Sequence, residues 1–170
     1  MQIRSLNRVV NVCSKIAEST AAIFLWMIFL VLLGELLSRN LLSRSLAGSW
    51  EMAAFMMAAM FFLGLAPALV SESHVRVTML SGRLSGRLAW LVEAVVLTVA
   101  FAVSSYGATA LINLAITSLQ RGSRSWELSI PLAVPQAFVA LGMTLFAFTF
   151  AAKIILLLFD SNELSKEDHG

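Results

Sequence analysis

The sequence contains few of the residues that build catalytic or metal-binding sites. It has one cysteine, Cys13, and two histidines, His74 and His169. A single thiol can form neither an internal disulfide nor a Cys-x-x-Cys redox site, and no predicted helix carries a paired set of haem ligands. The sequence also lacks a phosphate-binding glycine-rich loop, a metal-ligand cluster and a nucleophile–base motif. We therefore expect that the chain is not an enzyme and holds no cofactor or metal of its own.

Charge is scarce as well, and it is unevenly distributed. Charged residues make up 13% of the chain and hydrophobic residues 59%, whereas soluble domains have about 25% and about 45–50%. Four long stretches carry no charged residue: 19–34, 52–71, 94–120 and 128–152. This pattern excludes a soluble globular domain, a disordered chain and a secreted disulfide scaffold. It indicates a multi-pass membrane protein.

The uncharged stretches predict an all-α fold with four transmembrane helices. A helix needs about 20 apolar residues to cross about 30 Å of hydrocarbon, where its backbone groups must pair with one another. We place the spans of one membrane domain, 1–170, at about 17–38, 51–71, 90–119 and 130–157. The first span requires Glu18 and Glu35 at the two interfaces. We expect this span to be retained, because no small-residue cleavage site of a signal peptide follows it.

The distribution of positive charge predicts the orientation. Eight of the 12 Lys and Arg residues lie in the N-terminal segment 1–16, the middle loop 72–89 and the C-terminal end. The other four lie in the two remaining loops. The positive-inside rule therefore places both termini in the cytoplasm, together with the acidic tail 160–170.

The middle loop has a pattern of its own, in which Ser-Gly-Arg-Leu at 81–84 is repeated at 85–88. Two structures fit it: a short helix lying in the cytoplasmic interface between the second and third spans, or an ordinary basic loop. In either case the candidate anchors at this interface are His74, Arg76, Arg83 and Arg87.

Small residues in the spans offer surfaces for helix contacts. The candidates for contact with another membrane protein are Ala54, Ala58 and Gly64 in the second span and Ala140 and Ala147 in the fourth. The same residues would also suit packing among the four helices, and both interpretations stay open. On the third span, Tyr106 and Asn113 are candidates for hydrogen bonds to a neighbouring helix.

A tripeptide, Ser-Trp-Glu, occurs twice, at 49–51 and 125–127. Both copies precede a span on the predicted outer side. Convergent interface chemistry explains the repeat, and so would an old duplication of a helix pair.

Several of these segments together resemble a known family. The run from Ser49-Trp50-Glu51-Met52 to Phe61-Phe62-Leu63-Gly64, followed by His74-Val75-Arg76-Val77, is similar to the small membrane subunit of tripartite ATP-independent periplasmic (TRAP) transporters, the DctQ-type small permease. Leu128-Ser129-Ile130-Pro131 and Leu141-Gly142 resemble later motifs of that family. The likeness extends over about residues 20–155.

The resemblance implies a partner-dependent function in the bacterial inner membrane. A large membrane subunit would bind substrate and sodium and move as an elevator, while this chain braces its immobile part. A periplasmic solute-binding protein would deliver an organic anion, such as a carboxylate, to the outer face. The outer residues that are candidates for docking this protein are Arg39, Arg44, Trp50, Glu51, Arg121, Arg124 and Glu127.

A second class of function is an autonomous small transporter, such as a multidrug/proton antiporter with four helices. That class needs a membrane-embedded carboxylate. Glu35 is the one candidate in this sequence, although the predicted span puts it close to a helix end.

Overall fold

The computed structural model describes the backbone of residues 2–71 and 87–167 and the side chains of residues 7–71, 88 and 90–159. Within these ranges the chain forms four helices: α1 at Gln2–Leu42, α2 at Ser49–Ser71, α3 at Arg87–Gln120 and α4 at Ala133–Glu167. The strand-like pairing in this described part is a single isolated bridge between Arg124 and Pro131.

Each helix contains a segment that is long and apolar enough to cross a membrane. These segments are Asn7–Leu42, Ser49–Ser71, Trp90–Gln120 and Ala133–Phe159. The predicted all-α fold with four membrane-spanning helices is thereby confirmed. The N-terminal segment 1–16 is largely a continuation of α1, and this helix would extend for about 60 Å, roughly twice the hydrocarbon thickness. The alternative structures predicted for the middle loop fall outside the described residues.

The helices lie side by side in the order α1, α2, α4, α3. α2 packs extensively against both α1 and α4, α3 packs along α4, and α1 touches α4 over a small area. Helices that are consecutive in the sequence are therefore not all neighbours in space. In the described part of the chain, α1 and α3 form the two edges of the row.

Helices α2 and α4 approach each other closely at Gly142. The glycine makes this approach possible, because a Cβ atom there would lie 2.5 Å from the carbonyl carbon of Phe62 and 2.6 Å from its oxygen. The small side chains buried along these two helices are Ala53, Ala59, Ala66, Ala140, Ala147 and Ala152. Small residues let helix backbones pack closely where no hydrophobic effect drives them together. Ala140 and Ala147 are thus part of the chain's own packing.

Lys153 forms a second link between the same two helices. Its Nζ atom donates a hydrogen bond of 2.8 Å to the carbonyl oxygen of Leu69, near the C-terminus of α2. The last carbonyls of a helix have no partner within the helix and carry the negative end of its dipole. An ammonium group is favourable at this position, so a charge that the membrane would otherwise exclude becomes a link between helices.

The exposed and buried side chains show the inverted pattern of a membrane protein. Trp26, Phe61 and Val103 are each at least 60% exposed, although they are large and apolar. In contrast, Ser104 and Thr149 are buried, and their hydroxyl groups donate to carbonyl oxygens one turn earlier in their own helices. Polar groups that are paired in this way can remain in an apolar environment at little cost.

Candidate functional site

One end of the helix row carries all seven residues that the sequence predicted for the outer face. We call this end the loop end and define it as residues 35–51, from late α1 to the first turn of α2, together with residues 121–132, the connection between α3 and α4. Each of its two connections is held by one glutamate, Glu35 in the first case and Glu51 in the second.

The Glu35 carboxylate holds the connection between α1 and α2. Its oxygens accept hydrogen bonds from the Ser45 hydroxyl at 2.6 Å and from the Leu46 backbone N–H at 2.7 Å. The Arg39 guanidinium donates to the same carboxylate at 3.2 Å, one turn further along α1. The Glu35 side chain is 4% exposed, whereas that of Arg39 is 58% exposed. Glu35 is therefore a buried acceptor that folds the connection back onto the end of α1.

The Glu51 carboxylate reaches across to the other connection. It accepts three backbone hydrogen bonds of 3.1 Å, from the N–H groups of Trp126, Glu127 and Leu128. A carboxylate that binds successive amide groups satisfies three donors that would otherwise need water. Through this contact the first turn of α2 is tied directly to the segment that precedes α4.

This contact also brings the two Ser-Trp-Glu copies together. The glutamate of the first copy binds the backbone of the tryptophan and the glutamate of the second copy. The copies are not equivalent, because Glu51 is half-buried while Glu127 is exposed. The repeat was visible in the sequence, but nothing in the pattern indicated that the glutamate of one copy binds the backbone of the other. We call this contact, between the Glu51 carboxylate and the N–H groups of residues 126–128, the clamp.

The connection between α3 and α4 has an ordered structure of its own. α3 ends in a Schellman motif, in which Gly122 has a φ of +61° and the Ser123 N–H binds the Ser118 carbonyl at 3.0 Å. Beyond it, the Ser125 N–H binds the Ile130 carbonyl at 2.9 Å. The Ser125 hydroxyl accepts a hydrogen bond from the Ile130 N–H at 3.3 Å. These bonds close a small hairpin whose tip, 126–128, is presented to Glu51.

Gly48 and Leu128 form an apolar contact beside the clamp. Gly48 has a φ of +81°, and its missing side chain leaves room for the Leu128 side chain, whose Cδ2 and Cγ atoms lie too close to allow a Cβ atom at Gly48. The left-handed backbone and this close approach both require glycine. The two connections therefore meet through hydrogen bonds on one side and side-chain packing on the other.

The remaining predicted outer residues are exposed around this clamp. Trp50 is 62% and Trp126 96% exposed. Arg124 donates to the Ser129 carbonyl at 3.3 Å within its own hairpin. The side chains of Arg44 and Arg121 are exposed and make no hydrogen bond or ion pair with the described residues. The loop end thus presents two cations that are unpaired among the described residues and two aromatic side chains, on connections held by hydrogen bonds.

The other candidate residues occupy different environments. Ala54 is exposed, Ala58 and Gly64 are half-buried, and nothing lies within 4 Å of a Cβ atom built on Gly64. His74, Arg76 and Arg83 lie outside the described residues, and of Arg87 only the backbone at the start of α3 is described. Among the described residues no group of three or more His, Cys, Asp or Glu side chains could hold a metal ion.

Comparison with known proteins gives one result. A family model described as "Tripartite ATP-independent periplasmic transporters, DctQ component" matches residues 28–160, which include α2, α3, the whole loop end and the whole spanning part of α4. No curated protein and no solved structure matches the chain.

Proposed function

The chain belongs to the family of DctQ components of tripartite ATP-independent periplasmic transporters, and on this premise we propose that it braces the large membrane subunit of a sodium-driven transporter. In this proposal the chain also helps a periplasmic binding protein to dock, so that an organic anion can be taken up. As a member of this family it is a small subunit of a transporter and not an enzyme. Sodium and substrate are bound by the partners in this proposal. The chain supplies a rigid scaffold in the inner membrane, with both termini in the cytoplasm.

The observation that carries this proposal is the set of hydrogen bonds that holds the two connections of the loop end. Glu35 and Glu51 each use their carboxylate to hold a connection between helices, and the same surface exposes Arg44 and Arg121. A surface held in this way can receive a soluble partner without having to become ordered first, which lowers the cost of binding. Exposed cations also attract an acidic partner and accelerate its encounter with the membrane complex.

The alternative of an autonomous antiporter relied on Glu35, and the geometry gives this residue a different role. A proton-carrying carboxylate has to alternate between partners, whereas Glu35 accepts hydrogen bonds from a hydroxyl and a backbone amide of the connection and from a guanidinium on its own helix. Together with the family membership, this arrangement leaves Glu35 as a structural residue.

The bracing role is tested by purification. We expect the chain, tagged and extracted from its host in mild detergent, to bring along a stoichiometric large polytopic membrane protein, identified by mass spectrometry. The exposed Ala54 and the open Gly64 are our candidates for contact with it, and the basic residues of the middle loop are candidate anchors in the cytoplasmic interface. Recovery of the chain alone, as a monomer or homodimer, would contradict the bracing role.

The docking role predicts an effect of charge reversal at two positions. In the double variant Arg44→Glu/Arg121→Glu, we expect the concentration of binding protein needed for half-maximal uptake to rise several-fold, because attraction becomes repulsion. The measurement is uptake by proteoliposomes at increasing concentrations of the binding protein and at two salt concentrations, since screening weakens exposed charge pairs.

The matched control is Arg44→Lys/Arg121→Lys, which retains both charges and should behave as the unaltered protein does. Uptake that is the same in the charge-reversed and the lysine variants at every binding-protein concentration would refute docking through these arginines.

A further inference from the structure

The outward side of α3 changes its chemistry half-way along the helix. The side that packs on α4 carries Ser104, Ala108 and Ser118, all buried. The opposite side is exposed. Helical periodicity places on it, in the first half, Val92, Val95, Thr98, Val99 and Ala102 and, in the second half, Tyr106, Thr109, Ala110, Asn113, Ile116 and Gln120. The first half is largely apolar, and its one hydroxyl, that of Thr98, is bonded to the Ala94 carbonyl, whereas the second half carries more polar side chains.

The more polar half of this side lies at membrane depth. The spanning segment of α3 is Trp90–Gln120, and its midpoint is next to Tyr106. Asn113 lies two turns further along, about 10 Å nearer the loop end. Both side chains therefore fall within a hydrocarbon layer of about 30 Å. Tyrosine and asparagine are unusual at that depth, since tyrosine favours the membrane interface and an amide must be paired.

Neither side chain has a hydrogen-bond partner among the described residues. Tyr106 is 78% exposed, and its hydroxyl group projects from the edge helix of the row. Asn113 is exposed on the same side, and its carboxamide is also unpaired within the described part of the chain. Thr109 differs, because its hydroxyl donates to the Tyr106 carbonyl at 2.8 Å and so needs no outside partner. Among the described residues, no other helix of this chain supplies the hydrogen-bond partner that the sequence led us to expect for Tyr106 and Asn113.

Lipid tails cannot supply the missing partners. A hydroxyl or amide group that remains unpaired in hydrocarbon costs free energy, and polar side chains in spans face other protein groups or a water-filled cavity. The unpaired groups here are uncharged and can both donate and accept hydrogen bonds. They are complementary to another membrane helix that carries hydroxyl or amide side chains, and Ala110 between them allows that helix to approach closely.

We propose that Tyr106, Ala110 and Asn113 form a contact surface for a transmembrane helix of the large transport subunit, bound through side-chain hydrogen bonds inside the membrane. This inference rests on the proposed function, and it specifies which edge of the helix row the large subunit covers. The spacing of the two polar residues, seven positions apart, matches two turns of a helix that crosses α3 at a small angle.

The test is photo-crosslinking in the intact complex. A benzophenone amino acid replaces Tyr106 in one variant. In the control variant it replaces Trp26, an exposed aromatic residue on α1, the helix at the opposite edge of the row. After illumination, we expect the variant at position 106 to form a covalent adduct with the large subunit in several-fold higher yield than the control. Equal yields at the two positions, an adduct with a second copy of this chain, or labelling of lipid alone would each overturn the assignment.

A second comparison does not depend on the crosslinker. The double variant Tyr106→Phe/Asn113→Leu removes both unpaired groups without altering a buried contact, so the chain itself should fold. We expect it to retain several-fold less large subunit through purification in mild detergent, while Thr109→Val, which removes a hydroxyl already bonded within α3, retains the normal amount. Full retention by the double variant would overturn the proposal. The unaltered chain in the same experiment tests the bracing function separately, because failure of that sample to retain any large subunit contradicts the proposed function itself.

Discussion

Replacement of Glu51 by alanine is expected to release the hairpin between α3 and α4 from the first turn of α2. This single substitution removes the acceptor of all three amide groups that donate to the carboxylate. Hydrogen bonds to a charged acceptor are stronger than neutral ones, and the exchange rate of a protected amide rises with the fraction of time for which its bond is open. We expect deuterium exchange at 126–128 to become roughly tenfold faster or more, and uptake to fall because the docking surface is no longer held in place. In Glu51→Gln, we expect an exchange rate between those of the unaltered protein and Glu51→Ala. The amide oxygen of the glutamine can still accept a hydrogen bond, whereas its NH₂ group would face a donor.

The matched control for this experiment is Glu127→Ala. Glu127 stands at the same position of the second Ser-Trp-Glu copy, but its side chain is exposed and makes no hydrogen bond with the described residues. Exchange at Trp126 and Leu128 should therefore be unchanged in this variant. If Glu51→Ala exchanged as slowly as Glu127→Ala, the clamp would not exist in the membrane.

Replacement of Gly142 by alanine is expected to destabilise the contact between α2 and α4. The new methyl group would lie 2.5 Å and 2.6 Å from the carbonyl atoms of Phe62 and 2.7 Å from the Leu63 nitrogen. These are backbone atoms, so the helices must separate as a whole. Overpacking of this kind typically costs about 1–3 kcal/mol, and we expect a loss of several degrees in the melting temperature of the purified protein.

Two other glycines provide a graded comparison. At Gly34 nothing lies within 4 Å of a new Cβ atom, so Gly34→Ala should be neutral or stabilising by up to about 1 kcal/mol, which is the difference in helix propensity. At Gly107 the obstacle is the Cε atom of Met143 at 2.7 Å, which is the flexible end of a side chain and can move. The expected order of melting temperatures is therefore Gly34→Ala highest, Gly107→Ala intermediate and Gly142→Ala lowest. If Gly142→Ala had the same melting temperature as Gly34→Ala and Gly107→Ala, α2 and α4 would not cross at this residue.

The loop end illustrates a limit of sequence analysis. All seven predicted outer residues lie at this end, because each was placed next to the end of a predicted span. Their individual roles could not be separated in the same way. Glu51 was predicted as a docking residue, and that prediction is untested, yet its carboxylate is occupied by three amides from a segment some 75 residues later. A contact over that distance leaves no periodic signal in the sequence.

The all-α fold and the number of helices long enough to cross a membrane followed from the sequence alone. Hydrocarbon excludes charge and requires the backbone to pair with itself, so the uncharged stretches had to be helices that cross the membrane. The family likeness also followed from motifs that are contiguous in the sequence. Only the tertiary structure decided that α4 lies between α2 and α3 and that Ala140 and Ala147 face inward. It also decided that Tyr106 and Asn113 face outward, with no partner in the part of the chain that the structure describes. The physical reason is that hydrophobicity is nearly uniform around such helices, so the choice of neighbours depends on shape, as at Gly142, and on a few polar links, such as Lys153 to Leu69.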